Sequence, residues 1–174
     1  NIQGTGVLPA TLTISESDPF DFGTVPTTTT NSHFFTVSNT GDFQASVITE
    51  NGLAPPFGFV GGSFPGSGGT CTTTLAPSSN CTINIEFDPS STGIAADVID
   101  FSYNDGATVQ TVTRDVQGVG SSPAVLTISE ADPFDYGNVT IGAPVDYTFT
   151  VSNTGGVPAT GMGGGGLVSP FSFV

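Results

Sequence analysis

Positive charge is almost absent from this chain. One Lys or Arg (Arg114) stands against 15 Asp and Glu in 174 residues, which gives a formal net charge of −14. A surface that binds nucleic acid needs clustered Lys and Arg, so we expect no nucleic-acid partner. Long apolar runs are also missing, and a run of about 18 would be needed to cross a bilayer. We therefore expect no membrane insertion within this segment.

What the chain does contain is a long internal repeat. A shift of 114 positions places Leu12 on Leu126 and Phe35 on Phe149, and 30 of the 60 overlapping pairs are identical. Solenoid units run to only about 20 to 50 residues, so a period of this length fits a self-contained domain. We predict the last strand of a preceding repeat over residues 1–7, a complete repeat over 8–120 and the first half of the next over 121–174. The chain is then expected to be a segment of a longer repetitive protein.

The local pattern is typical of β-strands. Alternate residues are apolar along two clear segments: Cys81, Ile83, Ile85 and Phe87 in one, and Val145, Tyr147, Phe149 and Val151 in the other. Such alternation places every second side chain on one face of a strand. Turn residues separate the segments, and none of them has a sustained helical period. The predicted fold class is all-β, with tandem immunoglobulin-like β-sandwich domains of about seven to eight antiparallel strands each.

The two cysteines flank a predicted turn. Cys71 and Cys81 lie on either side of Ala76 and Pro77, so in a hairpin they would face each other. We predict a disulfide, with two buried free thiols as the alternative. No His or further Cys lies nearby to complete a zinc site. Because disulfides persist outside the cytosol, the pair favours an extracellular or cell-surface location.

Five segments together carry a family resemblance: LTISESDPFDFGTV, FFTVSNTG, CTTTLAPSSNCTINIEFDPSSTG, FSYNDG and VQGVG. They resemble the bacterial choice-of-anchor D domain, a relative of the ASH-type immunoglobulin-like domains. The resemblance covers residues 8–120, and residues 122–174 repeat its first two motifs. It implies a sandwich repeated in large secreted or surface-anchored bacterial proteins, without catalytic residues. The glycine-rich stretch 61–69 and the near absence of Lys depart from the family pattern.

An acidic segment recurs in both copies, just before a glycine turn. Its carboxylates are Glu16, Asp18 and Asp21 in the first copy and Glu130, Asp132 and Asp135 in the second. Carboxylates near a domain junction could bind calcium, although their spacing fits no EF-hand loop. The alternative is a solvated, hydrogen-bonded turn. No other cofactor is expected.

Two further sites are suggested by composition. The segment 57–69 combines Phe57, Phe59 and Phe64 with many glycines, which suggests an exposed loop that contacts a ligand. Four consecutive threonines, Thr27, Thr28, Thr29 and Thr30, form a hydroxyl cluster that could carry O-linked sugar.

Catalytic chemistry is not indicated. His33 is the sole histidine, and Tyr147 takes its place in the second copy, so no general base recurs. The predicted function is that of a non-enzymatic extracellular structural protein. Its repeats would form a surface stalk, fibre or filament through self-association, with strands shared between repeats or subunits. The alternative is an adhesin module that binds a carbohydrate or protein ligand through its loops.

Overall fold

The computed structural model describes residues 1–174, which fall into two units, Asn1–Ser121 and Ser122–Val174. The chain is all-β, as the sequence predicts, and none of it forms a helix that could cross a membrane. The strands are β1 Leu12–Ile14, β2 Phe20–Pro26, β3 Asn31–Asn39, β4 Ala45–Glu50, β5 Phe57–Phe59, β6 Thr74–Leu75, β7 Asn80–Phe87, β8 Gly93–Asn104, β9 Val109–Ser121, β10 Leu126–Ile128 and β11 Val151–Asn153.

The first unit is a β-sandwich. One sheet has the strand order β1-β3-β7-β5 and the other has the order β2-β9-β8-β4-β6. The unit has nine strands where seven to eight were expected, and β6 contributes only two residues. All pairs are antiparallel except β2 and β9, which run parallel. These two strands are far apart in sequence, so no hairpin forces them to be antiparallel.

The core lies between the two sheets of the first unit. The alternating residues of β7 are all buried, with Ile83, Ile85 and Phe87 at 0% exposure. From the opposite sheet, Phe101 and Val116 are each 1% exposed. Apolar side chains from both sheets are therefore buried between them, and the strand predicted from the alternation is confirmed.

A buried asparagine fixes the end of β3. The side-chain amide of Asn39 donates to the carbonyls of Phe43 (2.8 Å), Leu75 (3.1 Å) and Ala76 (3.3 Å). Its oxygen accepts from the backbone amides of Thr11 (3.2 Å) and Gly41 (3.1 Å). The side chain is 1% exposed. One residue thus joins β1, the turn after β3 and the end of β6.

The second unit contains a single strand pair, β10 with β11. Its register, with Leu126 opposite Asn153, repeats that of β1 and β3, where Leu12 lies opposite Asn39. The strand predicted from Val145 begins only at Val151. In the first unit β7 pairs with the whole length of β3, and residues 145–150 have no such partner.

The boundary between the units falls at Ser121 and Ser122, next to the predicted limits of the copies. Residues 1–7 are exposed and form no strand. Their assignment to a preceding repeat stays a prediction.

Candidate functional site

The strongest candidate site is an open apolar face on the second unit. It borders a groove of about 940 Å³. The residues that define this open face are Phe134, Tyr136, Val139, Phe149, Leu167 and Phe171. Their side chains are apolar or aromatic, and large exposed apolar surfaces mark interaction sites.

Four of the six positions of the open face have a buried counterpart one repeat earlier, and the other two have a partly buried one. Phe149 is 39% exposed, whereas Phe35 is 0% exposed. Likewise, Phe171 is 53% exposed and Phe57 is 3% exposed. In the first unit β7, β8 and β9 complete the two sheets around these positions. The open face therefore corresponds, position by position, to residues that line or border the sandwich interior of the first unit.

The aromatic arrangement is already native-like on the open face. Phe134 meets Tyr136 edge-on, with ring centroids 5.0 Å apart and an interplanar angle of 87°. Phe20 meets Phe22 at the same 5.0 Å and at 90° in the first unit. Hence this pair of rings has the same geometry in both copies.

The glycine turn beside these rings is also identical in both copies. The amide of Gly137 donates to Oδ1 of Asp135 at 2.7 Å, and that of Gly23 donates to Oδ1 of Asp21 at 2.7 Å. Both glycines have positive φ, 67° and 75°, a region that favours glycine. The conformation of this turn therefore follows from the local sequence, in which an aspartate precedes the glycine by two residues.

A glutamate pairs with a ring in each copy. Nε2 of His33 lies 3.4 Å from Oε1 of Glu16. In the second copy the hydroxyl of Tyr147 donates to Oε1 of Glu130 at 2.8 Å. Since the Glu130 carboxylate accepts this bond, the pKa of Tyr147 is raised above its ordinary value. The contact between a glutamate and a ring recurs, whereas the imidazole does not and the hydrogen bond is formed only by Tyr147, which fits a structural contact.

The acidic residues of the first copy each contact a different partner. Asp18 accepts from the amide of Asp115 at 3.0 Å and faces the Arg114 guanidinium at 3.6 Å. Asp21 accepts from Gln117 Nε2 at 3.2 Å in addition to its glycine turn. With Glu16 beside His33, the three carboxylates point to three different partners.

No group of three His, Cys, Asp or Glu side chains in the chain is arranged to hold a metal ion. The structure therefore does not bring together the residues of the calcium hypothesis, Glu16, Asp18 and Asp21 in one copy and Glu130, Asp132 and Asp135 in the other. Asp21 and Asp135 lie in hydrogen-bonded turns, as the alternative interpretation held.

The predicted disulfide is present. Cys71 and Cys81 are bonded, with their Cα atoms 4.8 Å apart. Both side chains are buried, at 5% and 7% exposure. The bond joins the segment before β6 to the second residue of β7, so it fixes that segment against an inner strand of its sheet.

The phenylalanines expected in a contact loop lie in the core, which corrects that prediction. Phe57 and Phe59 alternate with Gly58 in β5 and are 3% and 7% exposed. Phe64 is partly buried and packs edge-on against Phe101, with centroids 5.6 Å apart. Glycine between the aromatic residues suggested a flexible loop, but glycine at an outward position of a strand produces the same spacing.

The threonine cluster lies at the turn between β2 and β3. Thr28, Thr29 and Thr30 are exposed and Thr27 is partly exposed. Their accessibility is compatible with O-linked sugar, and that modification stays a prediction.

Asp105 is a structural residue that the sequence did not single out. It is 5% exposed, and its carboxylate accepts from the amides of Thr108 and Ala107, each at 2.7 Å. Gln110 Nε2 adds a third bond at 3.0 Å. These bonds, the Thr108 amide first, hold the pKa of Asp105 below its ordinary value of 3.8. The Asn-Asp-Gly sequence at the β8–β9 turn was the available signal, since Asp commonly accepts backbone amides in turns.

The comparisons with known proteins concern mainly the first unit. Residues 12–119 match the family described as HYDIN/CFA65/VesB-like, Ig-like domain. The VesB protease of Vibrio cholerae is similar at 16% identity and a TM-score of 0.49, over 64% of this chain and 32% of that one. The ASH/PapD-like domain 7 of human CEP192 is similar at 17% identity and a TM-score of 0.48, over 71% of this chain and 94% of that one. No curated protein matches the sequence. The chain spans about a third of the VesB structure.

Proposed function

Because this chain belongs to the HYDIN/CFA65/VesB-like, Ig-like domain family, we propose that it is a non-enzymatic structural module of an extracellular protein built from tandem repeats. The observation that carries this proposal is the repeat: the register of β10 with β11 reproduces that of β1 with β3, and the glycine turn at Gly137 reproduces the turn at Gly23. Every feature that recurs between the copies is a packing contact, a turn or a strand register. A repeated scaffold is best suited to assembly.

An extracellular location is supported by the disulfide between Cys71 and Cys81, since such bonds persist outside the cytosol. The sequence motifs around this pair support membership of the narrower choice-of-anchor D group. Together they support, within this proposal, a location on the surface of a bacterial cell or among its secreted proteins.

Assembly would proceed by sharing strands between repeats or between subunits. An exposed sheet edge offers unpaired backbone donors and acceptors, and an added strand satisfies them while its alternate side chains fill the apolar face. Repeats joined in this way form a stalk, fibre or filament. The partner is therefore another copy of the same repeat.

The alternative of an adhesin module depended on Phe57, Phe59 and Phe64 as a contact loop. Because β5 buries the first two and Phe64 packs on the core, we do not propose that alternative further.

A non-enzymatic role is supported by the replacement of His33 by Tyr147, and activity against a panel of hydrolase substrates would refute it.

Electron microscopy of the purified full chain tests the assembly. We expect regular fibres whose axial repeat is near the length of one sandwich, roughly 40 Å. Phe149→Asp places a charge on the open face and should abolish the fibres. Phe34→Asp is the matched control, since Phe34 is 49% exposed and belongs to the first unit. Dispersed monomers of the unaltered chain at high concentration would refute self-assembly.

A further inference from the structure

Val47, in β4, has a backbone conformation that valine rarely adopts. Its φ is 52°, and the other two non-glycine residues with positive φ, Glu16 and Ser78, lie between strands. In this region the Cβ crowds the following carbonyl oxygen, and the branched Cβ of valine makes the crowding worse. The conformation of Val47 therefore costs free energy.

A β-bulge imposes this conformation. The register of β4 against β8 shifts between Ser46 and Thr49. Two residues of β4, Val47 and Ile48, therefore lie opposite the single residue Tyr103 of β8. One common type of bulge accommodates its extra residue with a glycine at positive φ. Glycine is thus the residue that suits this position.

The second copy has glycine at this position. Gly161 lies 114 positions after Val47 (161 − 47 = 114) and has a φ of 67°. Both copies therefore have positive φ here, and glycine adopts it without strain. The first copy has valine where its own repeat shows that glycine is sufficient.

The side chain of Val47 contributes little to the packing of the first unit. It is 67% exposed and is not part of the buried core. A strained residue that its own fold does not require points to a role outside that fold.

The outer surface of the sheet around Val47 carries no charged side chain. Tyr103 is 5% exposed and faces the core, so its neighbours on β8, Ser102 and Asn104, face outward. Oγ1 of Thr49 lies 2.7 Å from Oγ of Ser102 on this outer side. Val109, opposite Asn104, is 71% exposed.

We call this surface the neutral face. Besides Val47, its residues are Ser46, Thr49, Ser102, Asn104, Val109 and Thr111. The next outward residue of β8, Asp100, marks its limit.

The charge of the chain indicates which partner fits the neutral face. A chain of net charge −14 repels a second copy of itself. Two copies are opposed least where neither surface carries a carboxylate, and a basic partner would be drawn to the carboxylates instead. Hydroxyl groups both donate and accept hydrogen bonds, so the neutral face is complementary to itself.

We propose that the neutral face of one copy packs against the neutral face of a second copy, with Val47 and Val109 as its apolar contacts. This inference rests on the proposed function and specifies a surface through which copies associate, in addition to strand sharing. Because both copies use the same patch, the contact is isologous and pairs two chains side by side. Two valines and a set of hydroxyl groups bury little apolar area, so each pair is weak.

Sedimentation analysis of the full chain and of Val47→Gly tests the contact. The variant has the residue of the second copy, and we expect its self-association to weaken about tenfold. Its thermal midpoint should be unchanged or higher, because relief of the positive φ opposes the greater freedom of glycine in the unfolded chain.

The outcomes of this experiment separate the two proposals. If Val47→Gly associates as tightly as the unaltered chain, this inference fails while the proposed function stands. A clear fall in the thermal midpoint would overturn the premise, because it would show that Val47 stabilises its own fold. If the unaltered chain forms no assemblies at any concentration, the proposed function fails too.

A pair of charge variants tests the position of the contact. Val47→Asp places a carboxylate on both sides of the paired faces and should weaken association more than about tenfold. Ile94→Asp is the matched control, since Ile94 is 85% exposed and lies at the other end of β8, outside the neutral face. Equal weakening by the two variants would overturn the inference, because net charge and not this face would then control association.

The salt dependence of association gives a third measurement. Raising the ionic strength from about 0.01 M to about 0.15 M shortens the screening length from about 30 Å to about 8 Å. Repulsion between the two acidic copies then falls while the uncharged contact is unchanged, so association should strengthen. Association that weakens with salt would overturn the neutral face as the contact, because it would indicate a pairing of opposite charges.

Discussion

The substitution Asn39→Ala tests whether one buried amide stabilises the first unit. It removes five hydrogen bonds, two of them wholly buried, through which the side chain joins three chain segments. At about 0.5 to 1.5 kcal/mol for each bond, and less for those that water can replace, the loss of unfolding free energy is about 3 kcal/mol. The backbone amides of Thr11 and Gly41 would lose their acceptor.

The second unit supplies a matched control. Asn153 accepts from the amides of Val125 (3.1 Å) and Gly155 (3.0 Å) and donates to the carbonyl of Val157 (2.8 Å). It repeats the arrangement of Asn39, but the residue is exposed. Because water replaces exposed hydrogen bonds, Asn153→Ala should change stability by less than about 0.5 kcal/mol.

Urea unfolding and thermal unfolding, both followed by circular dichroism, measure the two variants, and hydrogen exchange of β3 and β7 amides assigns the change to the first unit. We expect the Asn39→Ala midpoint temperature to fall by on the order of 10 °C. We claim that burial of this amide network stabilises the turn. A loss of unfolding free energy below about 1 kcal/mol in Asn39→Ala would refute this claim, and so would equal losses in the two variants.

Two further predictions concern the first unit. Replacing Cys71 and Cys81 together by Ala should lower the unfolding free energy by about 2 to 3 kcal/mol, since the bond closes a short loop in the unfolded chain. Equal urea midpoints for the variant and the unaltered protein would contradict this prediction. The folded-state pKa of Asp105 lies below its ordinary value of 3.8, so its contribution to stability is complete above that pH and is lost as the pH falls through the folded pKa. Asp105→Asn should therefore reduce the slope of stability against pH below 3.8, as measured by acid titration of the thermal midpoint, and an unchanged slope would contradict it.

Local pattern predicted much of the fold because alternation reports burial directly. The alternating residues of β7 are buried, and the cysteine pair is bonded across its turn. The parallel pairing of β2 and β9 could not be predicted from the sequence, since it joins residues about a hundred positions apart and no local pattern indicates which strand lies next to β2. Phe57 and Phe59 were misplaced because alternation with a single glycine is too short to distinguish a strand from a glycine-rich loop.

The second unit shows the limit of a strand pattern. Val145, Tyr147 and Phe149 alternate as a strand should, yet the strand begins at Val151. Alternation states which residues would face a core, whereas a strand also needs a hydrogen-bonding neighbour. The open face was not named as a site because the sequence shows which residues repeat and not which of them are left uncovered.

The parallel pairing of β2 with β9 has a mechanical consequence. When a chain is pulled from both ends, an early strand and a late strand that run parallel slide along each other, and the hydrogen bonds between them are loaded sideways and together. An antiparallel pair joined at a hairpin opens one bond at a time. In the first unit we expect the bonds from Phe20–Pro26 to Val116–Ser121 to carry this shearing load, so that resistance to tension would reside in the longest-range strand pairing of the fold.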